Sequence, residues 1–334
     1  MIGALLPSRA AFDEVRAFAA ADRRLYEVRG DGSRADWVAV DATTPFEWSH
    51  GRPLASAKRF FFPQREPLAA WTDDVAHAIE PDVQPFALIG LAACDLAAIA
   101  YQDRFFSDDP WYARRRARSL LVALNCVEAC PGGFCRDVDA GPFARAGFDL
   151  AATPLPDGRV LLETGTDAGR ALLDRAGIAL GDVPAGLRSD AETRADATFP
   201  PRPFIARAIA RIDAGCVTQA EWHGLGPACF ACTGCTSLCP TCSCFTILDD
   251  VRDGRQERVR EWDSCLLEGF QREASGHNPS PHAGDRVRRF WTHKLEHTFA
   301  ARLGRLGCVG CGRCDVTCPG SIGALPVLRT LGGD

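Results

Sequence analysis

Apolar positions follow two different periods along the first half of the chain. Residues 86–106, "FALIGLAACDLAAIAYQDRFF", begin with an apolar run of strand length and turn at Cys94–Asp95. They then place Leu96, Ile99 and Ala100 on one helical face, with Asp95 positioned to cap that helix. "SLLVALNC" (119–126) is a second strand-length run, and both runs end at a cysteine. Residues 148–165 pattern as a hairpin turning at Pro156-Asp157-Gly158, and residues 167–177 as an amphipathic helix stopped by Gly177. Strands alternating with helices predict a parallel or mixed sheet, hence an α/β N-terminal domain over 1–182. "KRFFFPQREPL" (58–68) reads as a buried strand with surface charges at its flanks; its functional alternative is a dry wall beside a charged centre.

Residues 183–203 hold four prolines and little periodicity, which predicts a linker. Ile205, Ile209 and Ile212 then predict one helix over 204–222. Further on, Asp253-Gly254 marks a turn between two strands. "RVRRFWTHKLEH" (286–297) predicts a helix with a solvated basic face, or else a docking face for an acidic partner.

Composition narrows the chemistry. The 334 residues are 46% hydrophobic and 24% charged, ordinary for a two-domain globular chain. A net charge of -5 disfavours bulk nucleic-acid binding. "MIGALLPSRAAF" lacks the basic start and long apolar run of a signal peptide, and no apolar run reaches membrane-spanning length. A cytoplasmic protein is expected. In that compartment disulfides are rare, so sixteen cysteines point to metal or redox chemistry.

Eight of those cysteines form an internal repeat. Cys229-x2-Cys232-x2-Cys235-x3-Cys239-Pro240 recurs as Cys308-x2-Cys311-x2-Cys314-x3-Cys318-Pro319. Both copies follow the bacterial ferredoxin run, in which the fourth cysteine of one run ligates the cluster of the other. The close spacing wraps a loop around one cubane and lets loop N–H groups face the sulfurs. The expectation is two [4Fe–4S] clusters, the first on Cys229, Cys232, Cys235 and Cys318, the second on Cys308, Cys311, Cys314 and Cys239. Zinc is the competing occupant, but structural zinc prefers two separated C-x2-4-C pairs to a run of four. The predicted fold class is therefore an α/β domain plus a ferredoxin-like α+β dicluster domain over 204–334, with an insert at about 242–300.

Eight cysteines remain. Cys94, Cys126, Cys130 and Cys135 lie near the ends of the two predicted strands, where α/β sheets form their ligand crevice. They are candidates for a third cluster; the alternative is that they are small buried hydrophobes. Cys242, Cys244 and Cys265 form a rival set, and Cys216 reads as core. His277, His282 and His293 read as structural. No G-x-G-x-x-G follows a strand and no P-loop is present. No nucleophile–base pair stands out, so no catalytic residue is assigned.

Taken together, "KRFFFPQREPL", "GLAACDLAAI", "GFDL", "CFACTGCTSLCPTCSCF", "EWDSCL", "GHNPSP" and "CVGCGRCDVTCP" span nearly the whole chain. On them it resembles the beta (iron–sulfur) subunits of cytoplasmic sulfhydrogenases, the NADP-linked [NiFe] hydrogenases. It also resembles their relative, the electron-relay subunit of anaerobic sulfite reductase. The resemblance implies an electron-transfer subunit between a flavin/NAD(P)-binding subunit and a catalytic subunit of [NiFe] hydrogenase or sirohaem type, with residues 1–182 as scaffold and docking domain. It implies no nucleic-acid or membrane partner. A self-contained reductase binding substrate at the third cluster is the alternative of a different class. Two departures show. The family's N-terminal loop commonly ends C-F-C, whereas here it reads Gly133-Phe134-Cys135, with Cys130 as the substitute. After "GHN", Pro279-Ser280-Pro281 replaces the usual aromatic-arginine-proline.

Overall fold

The computed structural model describes residues 2–30, 34–48, 51–72, 75–252 and 254–333. The N-terminal part builds β1 (Ile2–Leu6), α1 (Ala11–Ala20), β2 (Arg24–Arg29), β3 (Asp36–Val40), β4 (Arg65–Thr72), β5 (Val75–Ala78), β6 (Phe86–Leu91), α2 (Ala93–Phe105), α3 (Pro110–Ala117), β7 (Ser119–Leu124), β8 (Leu150–Pro154), β9 (Val160–Thr164), α4 (Asp167–Arg175) and β10 (Gly181–Asp182). One mixed sheet runs β10-β1-β9-β8-β7-β6-β2-β3. Its centre, β2, β6, β7 and β8, is parallel, and its outer pairs are antiparallel. β6 and β7 are buried on both faces, which is why they read as unbroken apolar runs rather than alternating ones.

Several expectations change in detail. Cys94 is not in a turn but in the first turn of α2, whose N-cap is Ala92. Asp95 therefore does not cap that helix; it points inward and is buried. "KRFFFP" is not a strand: Ala57–Phe60 is a 3-10 turn, and the strand begins at Arg65. Two of its phenylalanines, Phe61 and Phe62, sit in the core, and so does Lys58.

The C-terminal part adds α5 (Leu187–Asp196), α6 (Pro203–Asp213), α7 (Gln219–Leu225), α8 (Gly234–Leu238), β11 (Phe245–Arg252), β12 (Arg255–Trp262), α9 (Ala283–Leu295), α10 (His297–Leu303), α11 (Arg313–Thr317) and α12 (Ala324–Gly332). The predicted linker 183–203 thus contains a helix, and Ala191 and Ala195 pack it against Phe143 and Leu155. The single helix predicted over 204–222 is two. Gly215, at φ +64°, breaks it, and a Thr218–Glu221 capping box starts the second. Cys216 falls in that break and is exposed, not core. α9 does not present a solvated face throughout. Val287, Phe290, Trp291, Lys294 and Leu295 form a buried stripe at helical spacing.

A second sheet, β11-β12-β4-β5, is antiparallel and takes strands from both sides of residues 183–203. Gly254, at φ +75°, lies in its hairpin turn, while Asp253 lies outside the described residues. Buried Arg260 on β12 ties this sheet to the N-terminal part through Glu66 and Asp109. No helix among the described residues is long and apolar enough to cross a membrane.

Candidate metal centre

The two cysteine runs fold alike. In the first, Ala231 and Thr233 hold φ of +50° and +63°; in the second, Gly310 and Gly312, at the same two offsets, hold +63° and +69°. A five-residue helix follows in each, α8 or α11, and ends just before the fourth cysteine. Left-handed residues at those offsets curl the loop so that its thiols converge. Backbone N–H groups also reach sulfur: Gly310 donates to Cys308 Sγ and Ile322 to Cys318 Sγ, each at 3.4 Å.

α8 and α11 lie side by side, and this crosses the runs. One cavity is lined by Cys229, Cys232 and Cys235 with Cys318 of the other run, closed by Phe290, Trp291 and Ile322. A second is lined by Cys308, Cys311 and Cys314 with Cys239, and reaches Cys235 at its near side. Phe290 and Trp291 border both cavities. Among the described residues, no three His, Cys, Asp or Glu side chains close on a single ion. The thiols surround spaces rather than points, which suits a cubane better than a zinc ion.

Burial pushes the thiols of Cys235 and Cys308 up to about 12. They become thiolates only with a cation among them, so metal binding would expel protons. Cys239 is the exception. Hydrogen bonding from Cys242 and the charges of Lys294 and Lys58 hold it well below the ordinary thiol value. Beside it, Arg313 is fully buried. Its Nε donates to the Pro53 carbonyl at 2.9 Å, and its Nη2 lies 2.9 Å from Asp95 Oδ1. Nη1 and Nη2 still lack an aligned hydrogen-bond acceptor. A buried guanidinium lining a thiol cavity, with Cys311 among the groups that favour its charge, fits an anionic cluster.

Cys94, Cys126, Cys130 and Cys135 also come together. They line one cavity of about 100 Å³ at the C-terminal ends of β6 and β7, with Arg52, Asp95 and Glu128. Cys94 enters it from α2, while Cys126 follows β7. The loop 130–135 is held there by Phe134 N–H, which donates to the Gly310 carbonyl at 2.7 Å, and by Arg202, which donates to the Gly133 carbonyl at 2.6 Å. Two glycines leave room for sulfur. A Cβ at Gly133 would lie 2.8 Å from Cys130 Sγ, and one at Gly141 2.9 Å from Cys135 Sγ. Burial pushes Cys135 up to about 12 and holds Cys94 and Cys126 well above the ordinary thiol value. Cys311 is the thiol of the second run whose charge Cys94 and Cys135 feel. The crevice therefore adjoins the second cavity.

The 4Fe–4S dicluster domain family matches residues 228–322. Over 315 residues the chain is 30% identical to sulfhydrogenase 2 subunit beta of Pyrococcus furiosus, covering 91% of each protein. The chain belongs to the sulfhydrogenase beta-subunit family. No solved structure matches it. As a member of that family with a dicluster domain, it is an iron–sulfur protein of the electron-transfer, hydrogenase-subunit type. The rival set of Cys242, Cys244 and Cys265 lies outside this crevice, next to Cys239 of the second cavity. Cys242 hydrogen-bonds Cys239, Cys244 pairs with Cys265, and both lysines stand nearby.

Sequence reasoning overlooked the cations Arg52, Lys58, Lys294 and Arg313. Lys294 carried a usable signal, since it falls on the apolar stripe of α9 seven residues after Val287. His293, next to it, is structural: burial lowers it to about 4, and its ring packs on Phe299.

Proposed function

We propose that this chain is the electron-relay subunit of a hydrogenase-type oxidoreductase complex. Cys229, Cys232, Cys235 and Cys318 would hold one [4Fe–4S] cluster; Cys308, Cys311, Cys314 and Cys239 would hold a second. Bound there, the clusters would supply one-electron carriers. The observation that carries this reading is the lining of the two cavities, each with three cysteines of one run and the fourth of the other. The protein's own part is to keep the thiols converged, exclude water with Phe290 and Trp291, and offer N–H donors and cations to sulfur.

Cys94, Cys126, Cys130 and Cys135 would hold a third cluster, adjoining the second through Cys311. Cys130 Sγ reaches the place where a side chain at 133 would begin, so it can stand in for the missing family cysteine. The N-terminal part, residues 1–182, serves as scaffold and docks the partners: a flavin/NAD(P)-binding subunit on one side and a catalytic subunit of [NiFe] type on the other. One observation favours a self-contained reductase as second reading, namely that Arg52 lines the third cavity beside its thiols.

Iron analysis with EPR of the anaerobically reduced protein tests the assignment. Cys318→Ser is expected to remove about four irons and the signal of the first centre while sparing the second. Loss of the second signal instead would mean uncrossed ligation. An iron-free wild-type protein overturns the reading. Cys135→Ala separates the two roles: it should leave both dicluster signals intact, and it should abolish turnover by the isolated chain with an artificial donor only if the second reading holds.

A further inference from the structure

The two dicluster cavities differ in charge. Among the described residues no cationic side chain lines the first. The second is bordered by Arg313 and Lys294. Arg313 is largely offset by Asp95, with which it is buried. Among the described residues Lys294 has no such partner. It is 3% exposed, and its Nζ donates to Thr241 Oγ1 at 2.8 Å. The groups that favour its charge are Cys239, Cys242 and Tyr101.

Lys58 reaches the same place from the N-terminal part. It is 4% exposed, and its Nζ donates to the carbonyls of Thr236 (3.1 Å) and Cys242 (3.3 Å). It lies 4.0 Å from the centre of the Trp262 ring. Among the described residues neither side chain makes an ion pair with a carboxylate; burial lowers Lys58 below the ordinary lysine value despite the Cys242, Cys239 and Cys244 thiols beside it, whereas Lys294 is held above that value.

Burying an ammonium without a counter-charge costs several kcal/mol. Two of them beside one thiol set call for an anion there, and a thiolate-ligated cluster is one. Reduction adds a further negative charge to such a centre. A fixed cation in a low-dielectric site favours that reduced state, and a centre without one lacks the help.

We propose that Lys294, backed by Lys58, raises the reduction potential of the second centre above that of the first and makes it the electron sink of the pair. The inference rests on the ligand assignment proposed above. Both lysines are positioning residues: they touch the shell of Cys239 and do not ligate iron. Since Lys58 comes from the N-terminal part, docking of that part against the cysteine region would itself tune the relay.

The test is an EPR-monitored redox titration of the full chain, in its complex where one co-purifies. The signal lost in Cys314→Ser identifies the second centre. In wild type this signal should have the higher midpoint. Lys294→Met should shift its oxidised-to-reduced ratio at fixed potential at least tenfold, a fall of about 59 mV for a one-electron couple. The first signal should stay put. Lys294→Arg should restore the midpoint, and Lys58→Met should shift it the same way by less. An unmoved midpoint in Lys294→Met, equal movement of both signals, or a second centre below the first in wild type overturns the proposal. If Lys294→Met fails to assemble, Lys58→Met decides: a selective fall supports the proposal and no shift overturns it. Wild-type protein without iron would instead defeat the ligand assignment, and the inference with it.

Discussion

The two cysteine runs share spacing and backbone conformation, yet they face different surroundings. In the first, Phe230 is 68% exposed and Cys232 is exposed; at the same offsets in the second, Val309 is 2% exposed and Cys311 is buried. The left-handed positions differ accordingly. The first run carries Ala231 and Thr233 there, with strain for residues that have a Cβ. The second carries Gly310 and Gly312, because the loop 130–135 lies on top of them. A Cβ at Gly310 would come within 2.6 Å of the Phe134 and Cys135 backbone, and one at Gly312 within 2.5 Å of the Gly132 carbonyl. Even the next residue differs, Gly234 in one and buried Arg313 in the other. One run thus faces outward, and the other packs against the loop that carries the thiols of the N-terminal crevice.

Asp95→Asn should break this asymmetry most. It leaves Arg313 buried without its counter-charge, which costs about 3–5 kcal/mol, whereas the first run has no such pair to lose. Chemical denaturation of the anaerobic protein would show it, and a loss below about 1 kcal/mol would mean that Arg313 is neutralised by something else. Gly312→Ala should come next, at roughly 3 kcal/mol, from left-handed strain and displaced backbone together. Its counterpart, Thr233→Gly, should be neutral or gain about 0.5 kcal/mol, since strain is relieved while chain entropy rises. Equal and opposite behaviour of this pair in thermal melts would contradict the idea that the loop 130–135 dictates glycine. The smallest contrast sharpens the picture: Val309→Ala should cost roughly 1.5 kcal/mol and Phe230→Ala less than about 0.5 kcal/mol. If the Phe230 variant instead loses stability when the protein is in its complex, that side chain is buried by a partner.

Much of this was legible along the chain. The buried strands β6 and β7 declared themselves as apolar runs because both faces of a parallel strand are covered. The β8–β9 hairpin and α4 declared themselves through turn chemistry and a capped amphipathic stripe. What stayed hidden was non-local. "KRFFFP" has the apolar content of a strand, but Lys58 is drawn inward by the Thr236 and Cys242 carbonyls 178 and 184 residues away. The helix of 187–196 has little periodicity because it buries only two alanines. The cut at 203 was obscured by β4, which pairs with β12 of a hairpin beyond it and carries β5 on its other edge.

The order of residues was enough to set the kind of chemistry. Thiol spacing governs how tightly a loop can curl, and a run of four followed by proline points to a cubane cluster rather than a single ion. Which thiols meet, and what charge surrounds them, came from packing in three dimensions. Cys318 joins the first run because α8 and α11 pack side by side. Lys294 and Asp95 meet the second run, and Lys58 the Thr236 and Cys242 carbonyls, because burial brings distant segments to one low-dielectric place. Spacing is a local property of the backbone, whereas electrostatic environment is the sum over everything that packs nearby, and no window of the chain contains that sum.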